Sequence, residues 1–82
     1  MSALDDAYAR AEAMDCVIEC ATLNDALMWE VVVRSNDGIE ARAWMDGDDP
    51  SEAIEHALDR VEGLRRGRAD RLLNRLLDRE EP

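Results

Sequence analysis

Residues 29–45, WEVVVRSNDGIEARAWM, restrict the fold more than any other stretch of the chain. Trp29, Val31 and Val33 alternate with Met28, Glu30, Val32 and Arg34, the period of two that marks a strand with unlike faces. SNDG follows. A type I turn with Gly38 in the left-handed region pairs Ser35 with Ile39. Counting outward sets Arg34 opposite Glu40, Val33 opposite Ala41, Val31 opposite Ala43 and Trp29 opposite Met45. Apolar residues then meet on one face, and opposite charges meet on the other. A slip of one residue undoes both, so the register is strongly specified. Ile39, Ala41, Ala43 and Met45 make the core side of the second strand, and its alanines let a helix approach closely.

Helical patterns flank the hairpin. Leu4, Ala7, Tyr8, Ala11 and Met14 recur at helical spacing after Ser2, which predicts a first helix over 3–14. CVIECAT, residues 16–22, is rich in β-branched residues and reads as a short strand. Met14, Ile18 and Ala21 also continue the helical stripe, so the segment has a helical alternative. After the hairpin, Asp49 caps, Pro50 takes the first helical position, and Glu52 is placed to complete a capping box. Ile54, Ala57, Leu58, Val61 and Leu64 form the inward stripe of this second helix. Arg65 and Arg66 suit a last turn, and Gly67 suits a stop. A third, short helix is expected over 69–80, with Ala69, Leu72, Leu73, Leu76 and Leu77 on one side. Twelve residues hold a helix poorly in water, so that stripe needs the body or another chain. Leu72, Leu73, Leu76 and Leu77 are the candidate homodimer interface.

These elements predict one α+β domain. Three antiparallel strands, a hairpin plus one short strand, pack against an N-terminal helix and a longer second helix. Residues 1–66 form the body and 67–82 the C-terminal amphipathic helix. Phe is absent and aromatics are 4%, so aliphatic side chains must fill the core, with Trp29 and Tyr8 as anchors.

Charge is unevenly spread. Residues 1–59 are net −12 and residues 60–82 net +2, within a total of −10. Self-repulsion of this size costs stability, which points to solubility or to a basic partner as its reason. All ten basic residues are arginine.

No catalytic set is legible, and the chain is not expected to be an enzyme. His56, the one histidine, sits between Glu52 and Arg60 at helical spacing and reads as a surface ion-pair residue. Cys16 and Cys20 have no further Cys or His cluster with which to build a zinc site and read as small buried side chains. DGDD at 46–49 lacks the spaced ligands of a calcium loop. Neither metal nor cofactor is expected. The acidic body disfavours direct nucleic-acid binding. No signal peptide, membrane span or lipidation motif is legible, which predicts a cytoplasmic protein without a membrane partner.

A carboxylate surface is the candidate binding feature. Asp46, Asp48, Asp49, Glu52, Glu55 and Asp59 run from the hairpin end onto the second helix, with Glu52, Glu55 and Asp59 on one side of it. Trp44 and Glu40 complete the partner-binding set, Trp44 with Val32 and Met28 as an apolar anchor. Such a row resembles a phosphate backbone and suits an Arg- and Lys-lined channel.

In size, acidity and helix–strands–helix order, residues 3–66 resemble the small acidic anti-CRISPR proteins of phages. That resemblance implies a protein acting inside a bacterial host that blocks a CRISPR effector from recognising or cleaving DNA. DGIEARAWMDGDDPSEAIEHALDRVEGL is similar, in its strand–strand–helix order and at Glu52, Ala53, Ala57 and Leu58, to HicB-type antitoxins. That second resemblance implies a small dimeric regulator. A scaffold subunit using the leucine stripe is the remaining expectation.

Overall fold

A computed structural model describes residues 2–79. The order is α1 (Ala3–Ala13), β1 (Cys16–Leu23), β2 (Trp29–Ser35), β3 (Glu40–Met45) and α2 (Ser51–Arg79). The strands form one antiparallel sheet in the order β1-β2-β3, and both helices pack against it. The chain is α+β, as the patterns predict.

The hairpin register is the one that the alternation dictates. Trp29 lies opposite Met45, Val31 opposite Ala43, Val33 opposite Ala41 and Arg34 opposite Glu40. Gly38 adopts φ +87°, its N–H bonding the Ser35 carbonyl at 3.1 Å, and the Ser35 N–H bonds the Ile39 carbonyl at 2.8 Å. Asp37 accepts from the Ser35 hydroxyl, which in turn accepts the Ile39 N–H at 3.0 Å.

Residues 16–23 are a strand, and a β-bulge reconciles them with the helical spacing of their apolar residues. Ile18 pairs with Val33 and Cys20 with Val32, so Glu19 is the extra residue. The bulge shifts side-chain parity by one. Ile18 and Ala21, three apart, therefore both pack toward the core.

The core is a thin aliphatic layer. Val31, Val33, Ile39, Ala41 and Ala43 of the sheet face Ala53, Ile54, Ala57, Leu58 and Val61 of α2, with Ala7 and Ala11 of α1 beside them. Trp29 is half-buried at its rim and donates through Nε1 to the Gly47 carbonyl at 3.2 Å. Tyr8 does not anchor the core. It is 48% exposed, because the buried strip of α1 is only wide enough for Ala7 and Ala11, with Leu4 and Met14 at its edges.

Caps set the helix starts. The Ser2 hydroxyl accepts the Asp5 N–H at 3.2 Å. Asp49 accepts both the N–H and the hydroxyl of Ser51, at 3.0 and 2.5 Å, and the Pro50 carbonyl takes the Ile54 N–H.

The expected stop at Gly67 and the separate short helix after it are not seen. One helix of 29 residues runs through Gly63 and Gly67 to Arg79. Arg65 and Arg66 accordingly lie in mid-helix, not in a last turn. A glycine inside a helix costs only about 1 kcal/mol relative to alanine, and the leucines and arginines after it are good helix formers. The proposed helix end at residue 80 lies outside the described residues. No helix among them is long and apolar enough to cross a membrane.

Since Gly67 is helical and an added Cβ meets only the end of Arg71 at 3.8 Å, Gly67→Ala is expected to stabilise this part of α2 by about 1 kcal/mol. Amide hydrogen exchange over 68–77 should slow roughly fivefold. Faster exchange there would show that Gly67 terminates a helix.

Candidate functional site

Four of the candidate carboxylates lie around the start of α2. Asp46 and Asp48 are exposed in the β3–α2 loop, Glu52 is exposed in the first turn, and Asp49 is turned inward as the cap. Asp6 of α1 joins them. It lines an open cavity of about 560 Å³ with Met45, Glu52, Glu55, His56 and Asp59, between the two helix starts.

Glu55 and Asp59 share that cavity but are engaged within the chain. Arg10 of α1 bonds Glu55 at 2.9 Å and Asp59 at 2.7 Å, and approaches Glu62 at 3.4 Å. It also donates to the Glu55 carbonyl at 3.3 Å. The hydrogen bond to Asp59 and then that to Glu55 raise the Arg10 pKa above its ordinary value, against the opposing effect of burial. Arg10 is the lone basic residue in the first 33. That isolation is the one sequence signal of its role, and its partners lie 45 and 49 residues away.

Trp44 and Glu40 do not join the acidic end. They sit along β3 on the open side of the sheet. Glu40 contacts Arg34 at 3.3 Å and Arg42 at 3.7 Å, and Arg34 holds Glu19 at 2.7 Å. Trp44 is 44% exposed, with Met28 and Val32 half-buried. The eight partner-binding residues therefore form two groups, an acidic end and a mixed strand surface.

Three further arginines serve the scaffold, Arg68 by donating to the Asp37 carbonyl at 3.3 Å. Arg65 donates to the Met14 carbonyl at 2.9 Å and contacts Asp37 at 3.4 Å, tying the end of α1 and the hairpin turn to α2. Arg60 donates to the Arg42 carbonyl at 2.8 Å. Burial is the first cause raising the Cys16 thiol pKa, and nearby Arg65 opposes it.

Leu72, Leu73, Leu76 and Leu77 lie on the half of α2 that projects past the sheet, all more than half exposed. Arg66, Arg68, Arg71 and Arg75 share that half. Among the described residues, no group of three His, Cys, Asp or Glu is placed to hold a metal ion. No family model matches this chain, and no curated protein or solved structure matches it either.

Arg10→Ala is expected to lower stability by about 1 kcal/mol in denaturant unfolding, since it leaves three carboxylates facing one another on a partly exposed surface. Salt should recover part of that loss.

A pH effect follows from Asp49 and Asp37. Hydrogen bonds from Ser51 lower the Asp49 pKa below 3.8, and those from Ser35 first and Arg65 next do so for Asp37. A depressed carboxylate stabilises the fold above its unfolded value and loses that effect as pH falls through the folded value. The thermal midpoint should hold at neutral pH and drop once pH passes below 3.8. Asp49→Ala should lower it at pH 7, with the gap to wild type closing in acid.

Proposed function

We propose that this protein is a non-catalytic inhibitor whose acidic end binds a basic surface of a nucleic-acid-handling protein or complex, such as a CRISPR effector, in place of nucleic acid. The observation that carries this is spatial segregation of charge. Asp6, Asp46, Asp48 and Glu52 gather at one end of the body, and the one arginine reaching that side, Arg10, is held by Glu55, Asp59 and Glu62. Of the arginines of α2, Arg60 is turned to the Arg42 carbonyl at the β3 edge and the rest lie at or beyond the middle of the helix. A compact negative end on a rigid helix start presents carboxylates where a basic channel expects phosphates. Electrostatic complementarity of this kind speeds association and makes it sensitive to salt.

A second reading is a small dimeric regulatory or scaffold subunit, in the manner of a HicB-like antitoxin. The exposed leucines at 72, 73, 76 and 77 support it, since four such side chains on a projecting helix leave apolar surface without cover.

Affinity capture from a bacterial host, followed by competition with nucleic acid, tests the first reading. The expected catch is a basic nucleic-acid-binding protein, released by added nucleic acid and by high salt. Asp46→Lys/Asp48→Lys/Glu52→Lys should cut its retention by an order of magnitude or more. Retention untouched by that triple change, but lost with Leu72→Asp/Leu76→Asp, would move the function to the projecting helix.

A further inference from the structure

The two edges of the sheet differ. β1 carries the Glu19 bulge, a device that spoils an edge for further pairing. β3 carries none. Ala41, Ala43 and Met45, like Ile39 just before the strand, lie in the positions whose backbone groups bond β2, as the Ser35–Ile39 bond at 2.8 Å sets the phase. The N–H and carbonyl groups of Glu40, Arg42 and Trp44 therefore point away from the sheet. Arg60 reaching the Arg42 carbonyl from α2 agrees with that direction. Beside this edge runs a groove of about 670 Å³, lined by Glu40, Arg42, Trp44, Arg60, Gly63 and Leu64.

We propose that the β3 edge pairs with the β3 edge of a second copy of this chain, giving a two-fold dimer with a continuous six-stranded sheet. One register satisfies both backbone and charge. With Ala41 on the two-fold axis, Glu40 of each copy lies opposite Arg42 of the other. Both are outward-bonding residues, so they form a hydrogen-bonded pair. Their side chains share the open face of the sheet, where opposite charges attract. Moving the axis to Arg42 would set arginine against arginine. The Arg42 carbonyl has two lone pairs, so it can accept from Arg60 and from the incoming strand together.

The helices fit the same arrangement. α2 packs on both β3 and β2. Strands lie about 4.8 Å apart, which brings the two α2 helices to roughly 10 Å, a normal packing separation. Gly63 lines the groove between them, and an added Cβ there meets nothing within 4 Å. The two helices run antiparallel. Arg71 and Arg75 of one copy thus extend toward the acidic half of the other, and opposite charge adds long-range attraction between the two chains. A second copy is the occupant that supplies both complementarities at once.

Sedimentation equilibrium over a wide concentration range tests this. The wild-type mass should rise to twice the 9.2 kDa of the chain. Arg42→Pro removes an outward N–H while sparing the β2 ladder, and should give a monomer of unchanged circular dichroism. Gly63→Trp fills the groove from the helix side and should also give a monomer, which decides the matter if the proline variant unfolds. Glu40→Arg should weaken dimerisation roughly tenfold or more, and Glu40→Arg/Arg42→Glu should restore it. A wild-type chain that stays monomeric overturns the proposal. So does a dimer that survives Gly63→Trp.

Discussion

Close contact between α2 and the β2–β3 face is the constraint on which the rest of the molecule depends. That contact is made largely by small and β-branched side chains. Ala41 and Ala43 present almost no bulk, Ala53 and Ala57 answer them, and Ile54, Leu58 and Val61 fill the space between. An 82-residue chain without Phe cannot build a thick core. It gains instead from bringing backbones close, where each aliphatic side chain touches many others. The same economy explains the long α2. A helix seated this firmly over its first three turns continues outward with little to oppose it, glycines included.

Arginine takes over where aliphatic surface runs out. Arg10 joins α1 to α2, Arg65 joins both to the hairpin turn, and Arg60 holds the edge of β3. Each reaches a backbone carbonyl, through Glu55, Met14 and Arg42 respectively. The planar guanidinium can hold a carbonyl and a carboxylate at once, which an ammonium does less well. The surplus of acid over base is thus partly structural. Glu55, Asp59, Glu62 and Asp37 are the counterparts of these fasteners, while Asp46, Asp48 and Glu52 are left facing solvent.

The hairpin was legible because two unrelated constraints, apolar parity and charge pairing, agree on one register. α1 and the start of α2 were legible from Ser2 and Asp49, whose side chains act over two or three residues. The end of α2 was not. Glycine disfavours a helix by a small free energy, and a propensity of that size yields to good neighbours, as at Gly67. Nor could Tyr8 be placed from spacing, since the width of the buried strip on α1 is set by α2 and β1. The acidic row on α2 was visible at 52, 55 and 59. Its division between Arg10 and solvent was not, because a side-chain contact across 45 residues leaves no local trace.

The bulge in β1 has a consequence of a different kind. Ile18 and Cys20 already face successive residues of β2, Val33 and Val32. A chain lacking Glu19 would pair in the same register, with its strand merely straightened and Arg34 deprived of one carboxylate. Such a protein would fold as before, yet it would present two smooth borders in place of one. A sheet with two sticky margins has no geometric reason to stop adding neighbours. One glutamate, contributing nothing to the interior, thus leaves the sheet a single smooth margin.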